Sequence, residues 1–260
     1  MTELQSIRFD LDSRGIATVT LNRPEVHNAF NLTVVRELQQ AFDAIHENPK
    51  TRVAVLRGAG KSFSAGADLE WMREQALADM EKNREGAREM AHLFRSIDEC
   101  RVPVIGAIHG AARGGGTGLT CAVDIAVATP TAFFGFTEVR LGIVPAVISP
   151  YAIRRLGYSQ AKQHFLLGGR IQALEAHRIG LIHYLAEDLQ AKVDELVEQL
   201  LAGSPAAQSR IKPLARTVYD SSDAVDFTIE QITQARAHRE GQDGLSAFLE
   251  KRPPLWIETH

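Results

Sequence analysis

The sequence predicts an α/β protein with a helical end, on three observations. Through the first two-thirds, short β-branched and apolar runs alternate with stretches of helical period. Strands joined through helices form right-handed βαβ units and a mainly parallel sheet. Glycine-rich turns stand where strand-like runs give way to helical ones, at Gly58-Ala59-Gly60 and Gly114-Gly115-Gly116. From Ser149 to about Leu249 the strand signal fades and helical periodicity takes over.

Ile16–Leu21 is a β-branched run that Asn22-Arg23-Pro24 breaks. Asn31 is placed to cap a helix reaching about Glu47, in which Leu32, Val34, Val35, Leu38, Phe42 and Ile45 recur at helical spacing. Residues 53–56 read as a buried strand before the Gly58 turn. Helices are predicted from near Asp68 and over about 82–100, with Val104–Ile108 the next buried strand. Gly110 opens the turn that leads through the glycine triplet into the apolar stretch 119–123. Short strands follow at Ile125–Ala128 and around 133–136. Gly203-Ser204-Pro205 separates two helices and divides the chain into a core, residues 1–203, and a helical region, residues 204–260, that caps the core, assembles subunits, or both.

With 260 residues, 45% hydrophobic and 23% charged, the chain is long enough to bury a sizeable core and has no disordered or collagenous bias. A net charge of -3 and a pI near 6.3 give no bulk attraction to nucleic acid or to anionic membranes. Cys100 and Cys121 are far apart and form no CxxC, which argues against a disulfide framework and a zinc site. No group of His, Cys and acids has metal-ligand spacing. The first residues lack a basic segment followed by an apolar one, and the apolar runs are too short to span a bilayer. A cytoplasmic protein is expected.

Three segments carry chemistry. In Ser64-Ala65-Gly66-Ala67-Asp68-Leu69, small residues let a ligand approach the backbone, and a helix N-terminus offers unpaired N–H donors. Its plain structural reading is a tight turn capped by Asp68. In His109-Gly110-Ala111-Ala112-Arg113-Gly114-Gly115-Gly116, three glycines leave amides unshielded for an anion or a developing oxyanion, or else let a helix pack closely on a sheet. No Gly-Lys-Ser/Thr follows, so this is not a Walker loop. In Gly135-Phe136-Thr137-Glu138-Val139-Arg140-Leu141-Gly142, an acid sits among apolar residues, where a carboxyl tends to hold its proton to higher pH and so to serve proton transfer. The alternative is a salt bridge from Glu138 to Arg140.

In order and spacing these segments resemble the crotonase (enoyl-CoA hydratase/isomerase) superfamily. The resemblance runs almost end to end: Leu21-Asn22-Arg23-Pro24 with Asn28-Ala29, Phe63 to Leu69, Gly114-Gly115-Gly116, Asp124, Glu138 to Pro145, residues 173–181 and the final Phe248-Leu249-Glu250-Lys251-Arg252. It implies a spiral of ββα units with two nearly perpendicular sheets. It also implies a thioester oxygen held between the backbone N–H groups of Ala67 and Gly115, with Glu138 moving protons. Val26, His27, Ala29, Ala65, Asp68 and Leu69 match the positions that line the coenzyme A arm. Phe248 and Lys251 match positions that reach a neighbouring subunit's coenzyme A, consistent with a homotrimer or a dimer of trimers. Coenzyme A would be part of the substrate, with no separate cofactor.

One departure is central. Two-carboxylate hydratases of the superfamily carry a second Glu where this chain has Gly118. An acid introduced there would add hydration of straight-chain enoyl-CoAs if the pocket has room, or else fail by burying a charge without a partner. The stretches Ala67 to Met72 and Val144-Pro145-Ala146-Val147-Ile148-Ser149-Pro150 look like those of bacterial methylglutaconyl-CoA and isohexenylglutaconyl-CoA hydratases, implying a reshaped acyl pocket. Arg113 is a candidate for a distal substrate carboxylate or simply a surface cation. Trp71 and Met72 fit either a cavity lining or the core, and Cys121 reads as a small buried hydrophobe. Asp124 is expected to satisfy backbone or an Arg. The leading expectation is a lyase that adds water across the 2,3-double bond of a branched or carboxylated enoyl-CoA. A double-bond isomerase is the second reading, and a non-catalytic binding protein of the same fold the third.

Overall fold

The computed structural model describes residues 4–257. β1 (Ile7–Leu11) and β2 (Ile16–Leu21) form an antiparallel pair, and the chain then runs through α1 (Leu32–Glu47) into β3 (Val53–Gly58), parallel to β2. α2 (Leu69–Leu77) and α3 (Met80–Asp98) precede β4 (Val104–Ile108), and β5 (Ala111–Arg113) leads directly into α4 (Gly115–Ala122). Then come β6 (Ile125–Ala128), β7 (Phe133–Gly135), α5 (Ser149–Leu167), β8 (Ile171–Gln172), α6 (Ala173–Arg178), β9 (Tyr184–Leu185) and α7 (Leu189–Leu201). The last helices are α8 (Pro205–Asp220), α9 (Val225–Ala237) and α10 (Arg239–Glu250).

Two sheets result. The larger has the order β1-β2-β3-β4-β6-β9 and is parallel from β2 onward; the smaller has the order β5-β7-β8. The larger sheet grows in one direction as the chain proceeds, unlike a doubly wound sheet, whose order reverses at a switch point. Between β4 and β9 the chain crosses to the smaller sheet for β5, returns for β6, and crosses again for β7 and β8, giving a spiral rather than a single layer.

Both faces of the larger sheet are covered, so its strands are apolar on both sides. Val53, Val55, Ile105, Ala107 and Val127 meet Val193, Leu196 and Val197 of α7. Their neighbours Ala54, Leu56, Val104 and Ile108 belong to the main core with α1 and α3. Asn31 caps α1 as its position suggests, its side chain accepting the Val34 N–H. On that helix the buried Glu37 carboxylate takes up the N–H groups of Gln5, Ser6 and Ile7, anchoring the start of β1.

The expected helix-only ending needs correction, since β8 and β9 lie within it. Each has two residues, too few to show a period, and each exists through its partner: Ile171 opposite Phe134, and Tyr184 opposite Val127. β5 likewise lies inside what reads as a glycine-rich turn, because Ala-Ala-Arg has no strand pattern of its own. α5 is interrupted at Gly157, φ +74°.

The C-terminal helices are tied to the core by ion pairs. Lys212 of α8 lies 2.9 Å from Asp124, and Arg216 reaches Asp98 and Glu99 at the end of α3. Asp124 also accepts the Val104 N–H, so it meets backbone as expected, with a lysine in place of the expected arginine. Among the described residues, no helix is long and apolar enough to cross a membrane.

Candidate active site

Phe30 organises the first loop. It forms a parallel bridge with Ala67, donating its N–H to Gly66 O and accepting the Asp68 N–H, both at 2.7 Å. In a parallel bridge one residue bonds to both neighbours of its partner, so the partner's own N–H points the other way. The Ala67 N–H therefore faces away from Phe30, and no hydrogen bond takes it up among the described residues. The loop is fixed on both flanks. Asn28 donates to the carbonyls of Ala59 and Ser62, and Asp68 caps α2 through the Glu70 N–H while pairing with Arg23 at 3.0 Å. Burial tends to raise the Asp68 pKa, but the Glu70 N–H and Arg23 outweigh it and hold it below the usual range.

The second loop presents Gly115 as the first residue of α4. Gly114 precedes it at φ +49° and ψ -117°, a conformation open to glycine, and no side chain caps the helix. The Gly115 N–H thus stands unpaired among the described residues, at the positive end of the helix dipole. Gly115 is also required sterically, because a Cβ there would lie 2.7 Å from the Phe30 ring. Phe30 therefore holds both amides, one with its backbone and the other with its side chain.

The third segment is a 3-10 helix, Glu138–Leu141, closed by Gly142 at φ +73°. The three segments converge at Gly114. A Cβ built on Gly114 would stand 3.5 Å from Glu138 Oε1 and 3.9 Å from Gly66 Cα. Glu138 Oε2 is buried without a hydrogen-bond partner among the described residues, and burial pushes the Glu138 pKa up. The salt bridge to Arg140 considered from sequence is absent; Arg140 is exposed and turned to a different pocket. Two aimed amides can polarise a carbonyl, and a poorly solvated carboxyl beside them can exchange a proton.

Of the two outcomes left open for an acid at position 118, the structure favours the crowded one. A Cβ there would lie 2.5 Å from Ile148 Cγ2 and 3.0 Å from Phe94 Cζ. Gly118 follows Gly115 by one helical turn, so the wall beyond the open amide is built of carbon. Sequence reasoning singled out the apolar stretch around Ile148 but missed its contact with Gly118, and Phe94 carried no signal beyond helical periodicity. A cavity of about 380 Å³ lies along Val139, Ile143, Val144, Pro145 and Phe165, just past Glu138.

Of the other candidates, Val26 ends a short 3-10 helix and is 37% exposed, while Ala29 is buried. His27 is held at φ +53°, its ring 3.0 Å from Ser62 Oγ and its carbonyl accepting the Ala65 N–H, so these positions lie side by side. Leu69 is 72% exposed at the start of α2. Phe248 is 82% exposed on α10, and Lys251 ends that helix in the left-handed region. Trp71 packs on the main core. Cys121 is buried, its thiol pushed up to about 12 by burial.

Residues 12–259 match the family described as enoyl-CoA hydratase/isomerase. Enoyl-CoA hydratase ACTT6 of Alternaria alternata is 33% identical over 244 residues, which cover 92% of this chain and 80% of that protein. The short-chain-enoyl-CoA hydratase of Clostridium acetobutylicum is 31% identical over 256 residues, 96% of this chain and 97% of its own. The crystal structure of an enoyl-CoA hydratase from Shewanella pealeana superposes with a TM-score of 0.95 at 38% identity, covering 98% of this chain and 97% of that one.

Proposed function

The chain belongs to the enoyl-CoA hydratase/isomerase family, and from that premise we propose that it adds water across the 2,3-double bond of a branched or carboxylated, methylglutaconyl-like enoyl-CoA. The observation that carries the chemistry is the convergence of two unpaired amides on a buried carboxyl without a partner. The thioester oxygen accepts hydrogen bonds from the Ala67 and Gly115 N–H groups, which stabilise the charge that grows on it as C3 is attacked. Glu138, as carboxylate, takes a proton from the attacking water and returns it to C2. The balance is one hydroxyl on C3 and one hydrogen on C2, with Glu138 restored. Val26, His27, Ala29, Ala65, Asp68 and Leu69 are assigned to the coenzyme A arm. The carbon wall of Ile148 and Phe94 supports a branched acyl group, which it can bury without stranding a polar atom.

A second reading, isomerisation, is favoured by the same wall. With no acid opposite Glu138, one carboxyl can remove a proton and return it elsewhere on the acyl chain. A mass-spectrometric screen of purified protein against a panel of enoyl-CoA thioesters separates the two: hydration adds the mass of one water and isomerisation adds nothing. Turnover of none of the panel would sink both.

We place the coenzyme A tail between subunits of a trimer or a dimer of trimers. Exposed apolar side chains on the last three helices, among them Val218, Tyr219, Val225, Ile229, Phe248 and Leu249, supply the cover such an assembly needs. Lys251 acts there as a point charge near phosphate. Lys251→Ala is expected to weaken coenzyme A binding by about 1 kcal/mol, roughly fivefold, with the loss shrinking in high salt. Calorimetric titration with coenzyme A measures it, and unchanged affinity at low salt removes Lys251 from the site.

A further inference from the structure

Three arginines face one small pocket beside Glu138, and none of them meets an acid among the described residues. The pocket, about 270 Å³, is lined by Arg113, Arg140 and Arg170 with Phe133, Gly135 and Thr137. The register of the smaller sheet explains the grouping. Arg113 of β5 lies opposite Gly135 of β7, and the β7–β8 pairing, with Phe134 opposite Ile171, brings Arg170 to the other side of Gly135. Cross-strand neighbours share a sheet face. Two arginines therefore flank a residue with no side chain, their Cα atoms about 10 Å apart across two strand spacings. At Gly135 the floor between them is backbone, the Gly169 carbonyl oxygen lying 3.0 Å from where a Cβ would stand. Arg140 enters from the 3-10 helix, against Gly168. Arg170 is steadied by the Phe133 ring, 3.6 Å below its guanidinium.

Several arginines elsewhere have carboxylate partners, though single exposed ones such as Arg8 and Arg73 have no ion pair among the described residues. Arg14, Arg23, Arg36, Arg154, Arg216 and Arg252 each pair with a carboxylate. Arg113, Arg140 and Arg170 form no ion pair among the described residues, and no acid lines their pocket. Like charges gathered without a counter-charge repel, and each guanidinium presents a fork of donors shaped for an oxyanion.

We propose that this pocket binds an oxyanion, a carboxylate or a phosphate group, through Arg113, Arg140 and Arg170. The Thr137 hydroxyl, which has no hydrogen bond among the described residues, adds a neutral donor at the rim nearest Glu138. The pocket shares no residue with the positions assigned to the coenzyme A arm, so its occupant is either the distal acid of the acyl group or a separate small anion. The proposal stands without the hydration reading, because binding is measured without turnover.

The experiment is thermal unfolding of the full chain titrated with inorganic phosphate and, separately, with glutarate, at constant ionic strength set by chloride. The wild type is expected to show a saturable rise in midpoint with at least one of the two anions. Arg113→Ala/Arg170→Ala should unfold near the wild-type midpoint without anion and lose most of the rise. No saturable rise beyond chloride, or an equal rise in the double variant, overturns the proposal. Arg140→Ala is the second probe and should reduce the rise by itself. The source of the anion follows from competition. A carboxylated acyl-CoA that displaces phosphate, with its affinity lowered about tenfold in Arg113→Ala while the affinity for crotonyl-CoA is unchanged, assigns the pocket to the substrate. Phosphate binding that no acyl-CoA displaces assigns it to a separate anion.

Discussion

Glu138→Gln is expected to reduce turnover by about 10²–10⁴ while leaving thioester binding nearly intact. Glutamine keeps the size and most of the hydrogen-bonding capacity of the acid but cannot exchange its proton. Binding is expected to be spared because, in the proposed arrangement, the carbonyl is held by the Ala67 and Gly115 amides, which the substitution does not touch. The same carboxyl sets the pH response. Burial raises its pKa, so the base form is lost at a higher pH than for an ordinary carboxylate, and the acid limb of kcat/KM is expected above that range. Stability carries the opposite sign. A carboxyl that holds its proton more tightly folded than unfolded contributes fully below its unfolded pKa, and that contribution is lost as pH rises through the raised folded value. Glu138→Gln is therefore expected to match or exceed the wild type in stability at neutral pH while being far less active. Activity within a few-fold of wild type, on a substrate shown to turn over, assigns the chemistry to another residue.

What could be read from the chain was what each segment encodes locally. Asn31 announces a cap and Val104–Ile108 a buried strand, and each stands where expected. What could not be read is what depends on a partner. β5, β8 and β9 are too short to carry a period and arise from pairing alone. Phe30 reads as an ordinary core aromatic, yet its backbone turns the Ala67 amide outward and its ring requires a glycine at 115. The grouping of Arg113 with Arg140 and Arg170 is likewise invisible in sequence, because it follows from strand register across Gly135.

The wall at Gly118 gives the second large effect. Gly118→Glu is expected to destabilise the fold severely and not to create a two-acid site. The first atom of the new side chain would already overlap Ile148 Cγ2, and the rest would have to pass between Ile148 and Phe94, both largely or fully buried. Overpacking of this kind costs about 1–3 kcal/mol, and an unpaired buried charge adds roughly several more. Together these approach the whole stability of an ordinary domain, about 5–15 kcal/mol. Gly118→Ala isolates the steric part and should lower the unfolding midpoint by about 2–12 °C. Ile148→Gly is the partner substitution, since it removes the clashing atoms at a helix N-cap, where glycine is tolerated. If Ile148 is the plug, the two substitutions are non-additive, and the Gly118→Ala/Ile148→Gly double variant loses less stability than the singles predict by sum. Gly118→Glu on the Ile148→Gly background then tests whether space alone kept the second acid out, read as gained hydration of a straight-chain enoyl-CoA. A Gly118→Glu protein as stable as wild type would show that the side chain finds a path between Ile148 and Phe94, and the wall would lose its role in setting a one-acid site.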